Sequence, residues 1–200
     1  MVRAFQEAPS LLHANKREVT RKFLDKACFD KVILMPGEDG PELSAALQTP
    51  GSIIWAIERK RRVHAKLILK GCRSTPKPEE LDSSLRYIKK EEPEGGFTLI
   101  YLDLYTALTN RYLEDITFVL TGDLLKYPSM FLLTTGPARM KPDAQRLEAK
   151  ARRNGWNEEY IATPMHIENI LRRKSIVYRE MTHEAYRSHS GLYVVTCVIF

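Results

Sequence analysis

The 200-residue chain has little of what marks several large protein classes. Its cysteines are Cys28, Cys72 and Cys197, far apart and without a C-x-x-C pair. That spacing argues against both a structural zinc site and a disulfide framework, so idle thiols are the expectation. The histidines, His13, His64, His166, His183 and His189, show no ligand spacing either; surface or loop roles are expected for His183 and His189, and no metal is expected. No apolar run approaches the roughly 20 residues of a membrane-spanning helix. The opening MVRAFQEAPSLLHANK lacks the continuous apolar core of a secretory signal, so a cytoplasmic setting is expected. Internal repeats and low-complexity tracts are absent.

What is present fits one globular domain over residues 1–200, with 44% hydrophobic and 28% charged residues. The net charge of +6 and a pI near 9.2 favour an anionic partner such as nucleic acid. The basic clusters that would meet its phosphates are Arg59-Lys60-Arg61-Arg62, Arg152-Arg153 and Arg172-Arg173-Lys174. Each has an ordinary alternative, as a solvated face or as cations at a helix C-terminus.

Periodicity predicts an alternation of helices and apolar strands. A helical N-terminal segment fills residues 1–28, with Asn15 as N-cap and Val19, Phe23 and Ala27 on one face. Strands follow at Lys31–Met35, Ser52–Ile57, Phe97–Leu102 and Met130–Thr134. Helices are predicted at Pro41–Leu47, Arg61–Lys70, Glu79–Lys90, Tyr112–Leu125 and Pro142–Asn154, with another capped by Thr163-Pro164. Residues 175–200 carry two β-rich runs, Ile176–Met181 and Leu192–Phe200, joined by a loop too short for a helical crossover. The expected fold is therefore α/β: a mostly parallel sheet with helices on both faces and a C-terminal antiparallel hairpin.

In open α/β sheets, ligands bind beyond the carboxyl ends of the strands. The turn after the first strand, Met35-Pro-Gly-Glu-Asp-Gly40, has glycines that let a ligand approach the backbone. It is neither G-x-G-x-x-G nor a P-loop, and two acids beside a pyrophosphate would repel it. The second strand ends in Glu58, placed to accept hydrogen bonds from a ribose diol, although an acid there could also simply open the next helix. An acidic turn beside an acid-tipped strand suits a cationic or zwitterionic nucleoside, and S-adenosylmethionine fits that description. A nucleotide-binding oxidoreductase ranks behind it, because the dinucleotide glycine pattern is missing.

On ILMPGEDGPEL, IIWAIERKR, FTLIYLDLYTAL and MFLLTTGPAR, the chain resembles the class I (Rossmann-like) S-adenosylmethionine-dependent methyltransferases from about Asn15 to Phe200. The resemblance implies a seven-stranded sheet whose closing hairpin is its sixth and seventh strands. It implies that Met35, Gly37, Glu38 and Gly40 line the methionine part of the cofactor, and that Glu58 and Arg59 lie at its ribose. Asp103 and Tyr105, at the end of the fourth motif, would be the catalytic residues facing the transferred methyl group. The chain departs from the family in lacking an acid inside the first strand, and Asp82 is only a weak candidate for the adenine-contacting acid. Asp103 matches the acid of ribose 2′-O methyltransferases, but Phe131-Leu-Leu-Thr-Thr135 lacks the lysine that those enzymes carry on the fifth strand. Two functions follow: a methyltransferase acting on nucleic acid, or a protein of the same fold that has lost its chemistry and serves as a nucleic-acid-binding or assembly module.

Overall fold

The computed structural model describes residues 16–36, 40–136, 158–188 and 191–200. In chain order the elements are α1 (Lys16–Leu24), β1 (Lys31–Leu34), α2 (Pro41–Gln48), β2 (Ile53–Ala56), α3 (Arg61–Leu69), α4 (Leu81–Glu91), β3 (Phe97–Ala107), α5 (Asn110–Thr121), β4 (Leu125–Gly136), α6 (Glu158–Arg173), β5 (Glu180–Ser188) and β6 (Gly191–Ile199). The strands form one sheet in the order β2-β1-β3-β4-β6-β5. The pairs β2–β1, β1–β3 and β3–β4 are parallel; β4–β6 and β6–β5 are antiparallel.

Strand alternation sorts the core into two layers. Val32, Leu34, Leu99, Tyr101, Met130 and Leu132 project to the face covered by α1, α2 and α3, where they meet Val19, Phe23, Leu43, Ala46 and Leu67. Ile33, Ile100, Leu102, Phe131 and Leu133 project to the other face, against Leu85 and Ile88 of α4, Ile116 and Val119 of α5, and Ile167 and Leu171 of α6. Because both faces are covered, the inner strands read as unbroken apolar runs.

Several sequence expectations shift. Seven strands are expected and the described residues form six; the outer edge is extended only by an isolated parallel bridge between Trp55 and Arg73. Pro76 and Pro78 follow at once and cannot donate to a ladder. The first strand of the hairpin is Glu180–Ser188, not Ile176–Met181. Ile176 and Tyr178 instead pack against the core from the preceding loop. Met181, His183 and Ala185 are buried on alternate positions of β5, which withdraws His183 from the surface role expected of it. Thr163-Pro164 does not start a helix: Pro164 lies inside α6. The helix continues through the proline because its following turns bury Met165, Ile167 and Leu171. Asn15, His13, His189, Trp156 and the Pro142–Asn154 helix lie outside the described residues. Before β3, Gly95 has φ +64°, and a Cβ there would run into the backbone of Asp123 and Leu124, so the turn admits only glycine.

The outer edge is fastened by one carboxylate. Glu92, the C-cap of α4, accepts hydrogen bonds from Lys31 Nζ of β1 (2.8 Å), Trp55 Nε1 of β2 (3.1 Å) and Arg73 of the bridge (2.8 Å). Those donors, the Lys31 ammonium first, hold the Glu92 carboxyl below its ordinary pKa.

Candidate active site

The parallel registers bring the ends of β1 and β2 level with the middle of β3. Leu34 pairs with Ala56 on one side and with Tyr101 on the other. Two residues further along each chain stand Pro36, Glu58 and Asp103; the first two lie just past the ends of β1 and β2, whereas the strand expected to close at Leu102 runs on to Ala107, so that Asp103 lies within β3 where its pairing with β1 stops. With strands ~4.8 Å apart, Glu58 and Asp103 are separated by about two strand spacings, roughly 10 Å. The sheet therefore brings Pro36, which opens the predicted cofactor turn, the predicted ribose acid and the predicted catalytic acid to one rim.

Asp103 shares the side of β3 that carries Tyr101 and so points towards α1 and α2. It is buried, and its carboxylate forms an ion pair with the ammonium of Lys16, the first residue of α1. Immediately after Asp103 the β3–β4 register slips: Asp103 faces Thr134, but Ala107 faces Gly136. Two extra residues are thereby accommodated in β3, a bulge of the kind that re-aims side chains beside sites. Tyr105 lies in this bulge; its backbone belongs to β3, while its side chain is outside the described atoms.

Beside Gly40 lies a residue for which the sequence assigned no role. Glu42, in the first turn of α2, is fully buried, and neither carboxylate oxygen receives a hydrogen bond from another described residue. Burial pushes its pKa up to about 7; the nearby Lys16 ammonium opposes that rise and the Asp103 carboxylate adds to it. A Cβ on Gly40 would collide with the Glu42 carboxyl group and lie 2.5 Å from the Pro36 carbonyl oxygen. Gly40 has an ordinary extended backbone, so glycine is needed there for space and not for a left-handed φ. The Tyr101 hydroxyl hydrogen-bonds Thr134 Oγ1 at 3.0 Å, and burial together with Asp103 and Glu42 holds the phenol well above its ordinary pKa.

Glu58 is half-buried at the tip of β2, where its Oε1 accepts the backbone N–H of Lys60 at 2.7 Å. The capping role that competes with ribose binding is thus part of its geometry. Met35 packs its side chain on the core, and its N–H donates to the Tyr101 carbonyl at 3.2 Å. Arg59, Lys60, Arg61 and Arg62 are all exposed where β2 passes into α3, and Arg172 and Arg173 end α6. Gly37, Glu38, Arg152 and Arg153 lie outside the described residues. Asp82 opens α4 and pairs with Arg111 at 3.1 Å. Among the described residues no group of three or more His, Cys, Asp or Glu side chains is placed to hold a metal ion, and no helix is long and apolar enough to cross a membrane.

Lys16 and Glu42 are the site residues that sequence reading missed. Lys16 is one of several cations in an amphipathic helix, and Glu42 looks like an ordinary acid in a first turn. The Gly40-Pro41-Glu42 helix start, separated from the end of β1 by residues 35–39, was the available signal for Glu42.

No protein-family model and no curated protein sequence matches the chain. Its fold, however, matches many solved structures. TrmN from Thermus thermophilus superposes with a TM-score of 0.54 at 12% identity, over 92% of this chain and 47% of that one. M. jannaschii TYW2 in complex with AdoMet gives 0.54 at 9% identity, over 95% and 77%. The methyltransferase domain of bacterial CtHen1-C gives 0.51 at 10% identity, over 92% and 95%. The chain spans about half the length of TrmN and 49% of the methyltransferase SMU.776 complexed with SAH. The chain, with its mostly parallel sheet and terminal antiparallel hairpin, has the fold of the class I, Rossmann-like S-adenosylmethionine-dependent methyltransferases.

Proposed function

We propose that the chain is an S-adenosylmethionine-dependent methyltransferase whose acceptor is nucleic acid. The observation that carries this reading is the common level of Pro36, Glu58 and Asp103 at the carboxyl rim. The residues fit the cofactor. An orphaned, buried carboxylate, Glu42, lies beside Gly40 of the turn that would hold a cationic amino-acid moiety. Glu58 stands one strand over, at the height of a ribose. When bound, S-adenosylmethionine supplies an electrophilic methyl group. Structures of this fold bound to AdoMet or SAH include TYW2 and SMU.776.

The chain's own contribution to transfer is placement and proton handling. Asp103 sits where the attacking hydroxyl or amine would lie and accepts its proton. Lys16 fixes the orientation of that carboxylate through the ion pair. The bulge after Asp103 turns Tyr105 out of the regular strand pattern, at the rim where an acceptor would enter. The nucleic-acid acceptor is supported by the net charge of +6 and by the four exposed cations that follow Glu58.

Calorimetry with S-adenosylhomocysteine tests the reading. Micromolar-range binding is expected, weakened by Glu58→Ala. Asp103→Asn should keep that binding and lose methyl transfer. Absence of binding to the wild-type chain would leave the second reading, a chemically inactive module. The features that favour that reading are the Glu58 carboxylate engaged by its own loop and the absence of a lysine from the Phe131–Thr135 stretch of β4.

A further inference from the structure

The net positive charge of this protein is not spread over its surface. Between Glu58 and Glu79 the chain carries Arg59, Lys60, Arg61, Arg62, Lys66, Lys70, Arg73 and Lys77, and no acid at all. The other 23 lysines and arginines are outnumbered by the 25 acids, so this one segment accounts for the whole excess. The structure gathers it on α3 and its two flanks. His64 and Leu67 turn one side of the helix into the core, which leaves Arg61 and Arg62 outward at its start and Lys70 outward at its end.

Two details separate this segment from an ordinary solvated face. The first turn of α3 contains Arg61 and Arg62 and no acid; the N-cap Lys60 side chain makes no capping hydrogen bond, and the Glu58 carboxylate accepts from the Lys60 N–H. Cations there face the positive end of the helix dipole, an arrangement that works against the helix. A bound phosphate would offset the clustered charge and accept from the first-turn amides. Arg59 to Arg62 also have no ion-pair partner among the described residues, whereas Arg73 is engaged by Glu92. The second detail is position. The run begins one residue after Glu58, on the same rim as Asp103, about two strand spacings away.

We infer that the start of α3, Arg59 to Arg62, is the phosphate-binding surface that holds a nucleic-acid strand while its target group lies at Asp103. This rests on the nucleic-acid part of the proposed function and narrows it. Of the basic clusters in the chain, this one docks the acceptor, and Arg172-Arg173 at the far end of α6 does not. The contacts are to backbone phosphate, so the surface sets affinity and register and leaves base selection to the rim.

The experiment measures binding of a labelled single-stranded oligonucleotide across a salt series, for wild type, Arg61→Glu/Arg62→Glu and Arg172→Glu/Arg173→Glu. Wild-type affinity should fall linearly with log salt. The α3 variant should bind about tenfold more weakly at low salt, with a slope shallower by about 1.4, because each phosphate contact on a single strand contributes about 0.7. The α6 variant should keep the wild-type slope. Acids in the first turn of α3 favour the helix, so the melting temperature of the first variant should not drop, and lost binding cannot be ascribed to unfolding. Arg61→Gln/Arg62→Gln loses the same two contacts without adding repulsion, so it should show the same shallower slope with a smaller loss of affinity. Wild-type slope in the α3 variant, an equal loss in the α6 variant, or binding to anionic vesicles in place of the oligonucleotide would each overturn the inference. S-adenosylhomocysteine calorimetry on the same samples separates the two claims. Cofactor binding with no oligonucleotide binding sinks the docking surface alone; oligonucleotide binding with no cofactor binding sinks the methyltransferase alone.

Discussion

The ammonium of Lys16 rests on the carboxylate of Asp103, 87 residues away in the chain, and joins the first turn of α1 to β3 at the level where its pairing with β1 stops. Asp103 is almost wholly buried and Lys16 only slightly exposed, so the pair sits where screening by water is weak. Breaking it takes a charge partner from a buried carboxylate beside the Glu42 carboxyl. Lys16→Met is expected to destabilise the protein by about 3 kcal/mol, and Lys16→Met/Asp103→Leu by clearly less than the two single changes added together. Denaturant titration of the four proteins of the cycle measures this. Additive losses would mean the pair is not coupled.

Glu42 predicts a falling stability at rising pH. Its carboxyl is pushed up to about 7 from an ordinary 4.5, so the folded protein keeps a proton that the unfolded chain has released. The Glu42 contribution to stability is therefore full below pH 4.5, declines as pH rises towards 7, and is lost above it, a fall of up to about 3 kcal/mol. Asp115, pushed up to about 6 by burial and by Asp82, adds a loss of the same sign, in a window that ends lower. Glu42→Gln should therefore be more stable than wild type at pH 8 and near wild type at pH 4. With Asp115→Asn added, most of the slope between pH 5 and pH 8 should vanish. Thermal melts at those pH values report it, and an unchanged slope in Glu42→Gln would refute the assignment.

Gly40→Ala should cost about 1–3 kcal/mol, as overpacking does. The added methyl meets Pro36's carbonyl oxygen as well as Glu42's side chain. Shortening the acid in Gly40→Ala/Glu42→Ala should therefore recover only part of the loss, since the carbonyl remains. Full recovery in the double variant would show that Glu42 alone demands the glycine.

Glu92 ties the outer edge of the sheet, and with it the strand that presents Glu58. Removing its charge in Glu92→Gln weakens three hydrogen bonds at once and should cost about 2 kcal/mol. Since its pKa is depressed, the stabilisation is present above the ordinary carboxyl range and is lost as pH falls through the folded value. The variant should therefore flatten the acid limb of the stability curve. An acid limb identical to wild type, measured by chemical denaturation at pH 3 to 5, would count against the network.

The parallel strands were legible because both of their faces are covered: VIL, IIWA and LIYL are unbroken apolar runs, and each proved to lie in a strand. The first hairpin strand was not. EMTHEAYRS, at the sheet edge, has its buried apolar residues, Met181 and the Ala185-Tyr186 pair, separated by polar ones, and the neighbouring apolar Ile176–Tyr178 drew the prediction upstream. Pro164 misled for a related reason, because a proline at a plausible helix start looks the same as one inside a helix that tertiary burial carries through it.

At the site, the sequence by itself placed Glu58 just past a strand, Asp103 after an apolar run, and glycines and acids after the first strand, because those signals are local. That β3 runs on past Asp103 to Ala107, and that β1, β2 and β3 are parallel and adjacent so that Pro36, Glu58 and Asp103 stand level, was decided by tertiary pairing. Folding also decided that Lys16 would meet Asp103 and that Glu42 would turn inward to hold a proton near neutrality. A charge's neighbours and its exposure to water are properties of the folded chain, and they decide whether an acid is a solvated cap or part of a reactive site.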